Sequence, residues 1–179
     1  MATSTYVALG YQTLSSNQST VTFSGISQAY TELILVGHVN PTGASGSICY
    51  RLGNGTVDST TTYSATWGYG TGPITGGTKT HSSNGVANNN LGVLIGWQTA
   101  LGVTGQFSYG EINIFNYSST NSFKTILGNE LATTDNLIEN HVTTWRNNNP
   151  VDIITIFNNG GSGTLGAGSS FALYGVKSA

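Results

Sequence analysis

The run Gln106-Phe-Ser-Tyr-Gly-Glu-Ile-Asn-Ile-Phe115 decides the fold class. In its second half Ile112 and Ile114 fall on one side of an extended chain, and Glu111 and Asn113 on the other. That is the two-residue period of a strand with one dry and one wet face. Working outward, Leu33-Ile-Leu-Val36 is a continuous apolar run, expected of a central strand covered on both faces. Short β-branched and aromatic runs between Gly, Ser and Asn clusters give eleven candidate strands. They are Thr5–Leu9, Thr20–Phe23, Thr31–Val39, Ser47–Leu52, Thr61–Gly68, Leu91–Trp97, Gln106–Phe115, Phe123–Gly128, Ile138–Trp145, Asp152–Phe157 and Ser170–Val176. Helical windows are hard to find, because glycine interrupts almost every stretch and Thr, Val and Ile dominate the apolar ones. Strands at short intervals without helices predict an all-β fold: an antiparallel two-sheet sandwich, jelly-roll-like, of about 8–11 strands. One domain over residues 1–179 is the expected organisation.

Punctuation residues add detail. Asn147-Asn-Asn-Pro150 is a stop, and Asn158-Asn-Gly-Gly161 supplies positive φ for a tight turn. The last two strands are therefore expected to form a hairpin around a Gly/Ser loop. From Gly70 to Asn90 the chain is nearly all Gly, Thr, Ser and Asn, with Pro73, Lys79 and His81. It reads as a long loop leaving one end of the sandwich.

Composition excludes several functions. Of 179 residues, 5 are Lys or Arg and 7 are Asp or Glu, for a net charge of −2, while Thr, Ser, Asn and Gly make up half the chain. Five scattered cations cannot neutralise a nucleic-acid backbone, so no nucleic-acid partner is expected. No run approaches the length of an apolar bilayer span, and the opening Met-Ala-Thr-Ser-Thr-Tyr is not a secretory signal, so no membrane association is expected either. Hydrophobic residues at 37%, with 10% aromatic, suffice for a packed core. Cys49 has no second cysteine to pair with, which points to folding in a reducing compartment, and it reads as a buried, inert thiol. A low-charge, hydroxyl- and amide-rich surface costs little to desolvate against a similar one, which suits a particle part better than a catalyst.

Catalytic templates fit poorly. Gly161-Ser-Gly-Thr-Leu-Gly166 matches the dinucleotide pattern, yet a strand-like run follows where a helix is needed. No serine sits in a nucleophile elbow. The seven acids, Glu32, Asp58, Glu111, Glu130, Asp135, Glu139 and Asp152, form no local paired signature. Glu111 is the best single candidate, against the plainer reading of a solvated strand face, and a pair assembled from distant elements is left open. His38, His81 and His141 lie on different elements at unrelated spacings and read as structural or surface histidines. No catalytic residue, metal or cofactor is expected. The most site-like stretch is Tyr63-Ser-Ala-Thr-Trp-Gly-Tyr-Gly-Thr-Gly-Pro73, where Tyr63, Trp67 and Tyr69 are candidates for stacking on a sugar or anchoring a protein interface. The competing reading places Trp67 in the core and Tyr69 at a strand end.

Several segments carry a resemblance when taken in order: Ser19-Thr-Val-Thr-Phe-Ser-Gly-Ile26, Tyr30-Thr-Glu-Leu-Ile-Leu-Val36, Glu111-Ile-Asn-Ile-Phe-Asn-Tyr117, Asn121-Ser-Phe-Lys124, Trp145-Arg-Asn, and Gly168-Ser-Ser-Phe-Ala-Leu-Tyr-Gly-Val176. The order resembles that of small virion structural proteins of tailed bacteriophages and covers most of the chain outside residues 50–100. The resemblance implies a jelly-roll-like subunit in the virion, folded in the host cytoplasm. It would be a head cement or decoration protein that binds the major capsid protein and copies of itself, as a homotrimer. The alternative is a tail-fibre or receptor-binding domain that recognises host surface carbohydrate. No catalytic motif is carried across.

Overall fold

The computed structural model describes residues 5–43, 45–71, 80–98, 106–133, 136–160 and 163–177. Thirteen strands form two antiparallel sheets, and no helix occurs among the described residues. The strands are β1 (Tyr6–Thr13), β2 (Thr20–Ser24), β3 (Glu32–Val39), β4 (Gly46–Asn54), β5 (Thr56–Val57), β6 (Tyr63–Thr71), β7 (Thr80–Asn89), β8 (Gly92–Gln98), β9 (Ser108–Phe115), β10 (Lys124–Ala132), β11 (Leu137–Trp145), β12 (Ile153–Asn158) and β13 (Ser170–Val176). The larger sheet runs β1-β13-β3-β9-β10-β11-β6-β7; the smaller runs β2-β12-β4-β5, with β8 beside β5 on the edge of β4 opposite β12. This is the expected two-sheet sandwich, and all eleven candidate strands are present.

The core lies between the sheets. Leu33, Leu35, Ile112, Ile114, Ile126 and Trp145 of the larger sheet meet Ile48, Tyr50, Leu52, Leu94, Ile95, Ile154 and Ile156 of the smaller. The β9 alternation holds: Ile112 and Ile114 are buried, Glu111 and Asn113 half-buried. The Leu33–Val36 run is central, but covered fully on one side only. Leu33 and Leu35 face the core, and Ile34 and Val36 stand half-buried on the outer face of the sheet.

Two expectations are corrected. Much of the 70–90 segment is strand: β6 continues through Thr71, and Thr80–Asn89 returns beside it in register from Thr71↔Thr80 to Ala65↔Val86, with a one-residue shift before Tyr63↔Asn89. An edge strand needs only one ladder, which hydroxyl- and amide-bearing residues can form without an apolar pattern. Residues 72–79 of that expected loop lie outside the described residues. Nor are the last two strands a hairpin. Strand β12 pairs with β2 and β4, so both its edges are taken, and β13 pairs with β1 and β3 in the other sheet. The segment between them crosses the end of the sandwich, held where Leu165 bridges Gln18 and Pro41 and Gly166 N–H donates to the Asn40 carbonyl (2.8 Å). The described part of the Gly-rich match, residues 163–166, thus leads into β13, not into a helix.

Candidate functional site

Strands β10 and β11 form a hairpin whose register sets Gly128 opposite His141 and Glu130 opposite Glu139. Residues in register share a face, and four positions on each face here carry the opposite polarity to the one expected. Leu127, Leu131, Ile138 and Val142 point away from the core and are 40–60% exposed, while Lys124, Glu130, Glu139 and His141 point inward and are 0–7% exposed.

The inward acids and histidine converge. One ligand-capable atom from each of Glu130, Glu139 and His141 lies within 4.8 Å of the others. From the facing sheet, the β8 backbone N–H of Gly96 donates to Glu130 Oε1 (2.6 Å). A side chain at Gly96 has no room: its Cβ would stand 2.4 Å from Glu130 Oε1 and 3.0 Å from Glu139 Oε2. The imidazole of His141 lies over Gly128, where a Cβ would come within 2.1 Å of Nε2. Burial, and then the charge of Glu139, push the Glu130 carboxyl well above the usual carboxylate range, against the Gly96 N–H. Burial also raises Glu139 to about 7 and lowers His141 to about 4. Glu130 Oε2 and both His141 ring nitrogens have no hydrogen-bond partner.

At the other end of the hairpin two charges are fixed by different means. The Lys124 ammonium donates to the carbonyls of Ser119 (2.6 Å), Ser122 (3.0 Å) and Asn148 (3.1 Å), with that of Asn147 at 3.4 Å, and sits over the Trp145 ring. Asp58 accepts from Thr60 N–H (2.9 Å) and hydroxyl (2.6 Å), the Thr62 hydroxyl (2.9 Å) and Trp145 Nε1 (2.8 Å). Burial raises the Asp58 pKa, but these donors outweigh it and hold the carboxyl at about 2. Below about pH 4 the unfolded aspartate takes up its proton and the folded one resists, so this group's stabilisation is lost as pH falls towards 2. Asp58→Asn should lower stability at pH 7 by about 1–2 kcal/mol, because a neutral amide offers one acceptor oxygen and the site is partly wet. Urea unfolding at pH 7 and pH 2.5 checks this: the gap between variant and parent must narrow at the lower pH.

The outer face of the larger sheet is the second candidate. Register rows place Tyr6, Tyr11, Tyr109, Leu127, Leu131, Ile138 and Val142 on it, seven of the eight large hydrophobic residues exposed among the described residues. Its carboxylates are Glu32 and Glu111, and Glu111 accepts from the Tyr109 hydroxyl (2.7 Å). A recess of about 360 Å³ opens beside Leu127 and Val142, between Thr66, Asn129 and Asn140, and Trp67 and His141 also line it.

The residues singled out from sequence fare unevenly. Tyr63 is corrected: it is fully buried, and its hydroxyl accepts from the Leu52 N–H (2.7 Å), so no sugar or protein can reach it. Trp67 and Tyr69 share the inward face of β6 and are half-buried, Tyr69 packing on the core. They do not make a three-ring platform with Tyr63. Cys49 is buried and its thiol pKa is raised, first by burial, as expected of an inert thiol. His38 is exposed and stacks on Phe107 at 4.6 Å, while the side chain of His81 lies outside the described residues. Taking acids one by one and histidines as a trio missed the buried cluster. The available signal was Glu139-Asn-His141, a spacing that puts both side chains on one face of a strand. No protein-family model, curated protein or solved structure matches this chain.

Proposed function

We propose that this chain is a non-enzymatic virion structural protein of a tailed bacteriophage: a cement or decoration subunit that lies on the outer head surface and bridges capsomers. Its partners are then the major capsid protein and further copies of itself in a homotrimer. One observation carries the reading, namely that seven large exposed hydrophobic side chains lie on one face of the larger sheet, four of them together on β10 and β11. Apolar patches of that kind mark surfaces meant for another protein. With 7% charged residues overall, covering such a face requires few ions to lose their water. Many modest contacts, repeated over the subunits of a shell, sum to firm attachment. The sequence resemblance points the same way.

The test alters the face and leaves the core intact. Leu131→Asp and Ile138→Asp change residues 46% and 60% exposed, so unfolding midpoints should stay within about 0.5 kcal/mol of the parent. Binding to heads stripped of the protein, measured by co-sedimentation, should fall at least about tenfold for each, as expected of residues central to an interface. Undiminished binding by both variants would overturn the docking role of this face. Recovery of the parent chain only on tail fragments, or binding to host polysaccharide in place of heads, would transfer it to the receptor-binding class.

A further inference from the structure

We propose that Glu130, Glu139 and His141 form a binding site for one divalent transition-metal ion of the zinc class, pinned between the sheets. The site does not depend on where the protein sits in a particle.

Two independent observations meet here. The first is convergence: two carboxylates from facing strands and an imidazole two residues along β11 bring one ligand atom each to within 4.8 Å of the others. Metal–oxygen and metal–nitrogen distances of about 2.0–2.2 Å are reached from there by small side-chain rotations. The second is the unpartnered state of the ligand atoms. Glu130 is 3% exposed and His141 5% exposed, yet Glu130 Oε2, His141 Nδ1 and His141 Nε2 lack a hydrogen-bond partner; these are three of the six such buried atoms among the described residues. Buried polar atoms left this way are costly. A proton shared by the carboxylates would satisfy one pair of oxygens and leave the imidazole without a partner. A cation takes one ligand atom from each of the three groups, leaving only the second imidazole nitrogen without a partner, and cancels the repulsion of two acids set directly opposite in a ladder.

The surroundings match a metal's outer shell. The Gly96 N–H occupies Glu130 Oε1 and so leaves Oε2 as the free ligand atom, the orienting role that backbone donors play around metal ligands. Gly96 and Gly128 provide the space in which the carboxylates and the imidazole lie. One nitrogen and carboxylate oxygens, without a thiolate, suit zinc and its neighbours. All three ligands are at most 7% exposed and lie on the β10–β11 hairpin, so the ion's role is to hold those two strands together, with His141 also lining the outer recess.

The test uses the whole chain, stripped with chelator and then titrated with Zn²⁺. Expected are one ion bound per chain, by mass spectrometry, and a midpoint rise of about 5–10 °C at a hundredfold excess over Kd. Glu139→Gln and His141→Gln should each weaken binding by about 10–100-fold. Should both variants fail to fold, Co²⁺ added to the parent chain decides, through the paramagnetically shifted imidazole signals that histidine ligation produces. Substoichiometric metal with no midpoint shift would overturn the site, as would full affinity in either variant or a cobalt complex without a histidine signal.

Discussion

Replacing Lys124 by Met is expected to destabilise the protein by about 2–4 kcal/mol, the loss of several charge-assisted hydrogen bonds to backbone carbonyls. The side chain is fully buried, and its ammonium is the donor shared by the carbonyls of Ser119, Ser122, Asn147 and Asn148. Two of those carbonyls precede β10 and two follow β11, so one ammonium ties the open end of the hairpin. Methionine fills a similar volume and keeps the contact with Trp145, so the loss reports the carbonyls left without a donor. Each such orphan costs on the order of 1–3 kcal/mol. Urea denaturation should show a lower midpoint at unchanged slope. A shift below about 1 kcal/mol would mean that water replaces the ammonium and that the cage is not structural.

Gly110→Val is expected to cost about 3 kcal/mol or more and to lower soluble yield. Here β9 of one sheet touches β8 of the other, backbone against backbone. A Cβ at Gly110 would lie 2.2 Å from the Leu94 carbonyl oxygen and 2.8 Å from Ile95 Cγ1. Leu94 sits at the bulge of β8 against β4, between the Ile48↔Ile95 and Cys49↔Val93 pairs, and its backbone carbonyl cannot swing aside as a side-chain tip can, so relief requires β8 to lift. Lifting it exposes Leu94 and Ile95, both fully buried, and draws the Gly96 N–H away from Glu130. Gly25→Ala is the control: its φ of +66° strains an L-residue, but nothing lies within 4 Å of the added carbon. That substitution should cost only about 1 kcal/mol. Equal thermal shifts in the two variants would show that the sheets separate freely at Gly110.

The sheet pattern was legible where neighbouring side chains differ sharply in polarity, as at Glu111 to Ile114 on β9. It was illegible where the pattern carries no contrast: Thr80–Asn89 is almost wholly small and polar, yet pairs as a strand along β6. The pairing of β13 with β1 and β3 depends on which sheet edges are vacant, a property of the assembled fold and not of the local run. The candidate site was hidden for a sharper reason. Leu127, Leu131, Ile138 and Val142 are the residues a reader of hydrophobicity assigns to the core, and Glu130, Glu139 and His141 those assigned to water. The hairpin reverses both. Such a reversal costs free energy in an isolated subunit, which the docking partner and the metal ion proposed above would offset from both directions.

The place of β13 also sets an order of events during synthesis. In the larger sheet β1 has β13 as its neighbour, although β13 comes last of the thirteen strands, and β13 in turn separates β1 from β3. Strand β1 therefore emerges from the ribosome long before its ladder partner exists, and that sheet cannot be completed until residues 170–176 have cleared the exit tunnel. Nascent chains pass this interval with β1 unpaired and the flank of β3 exposed. Crowded polysomes are the setting in which such chains are most at risk of pairing with one another.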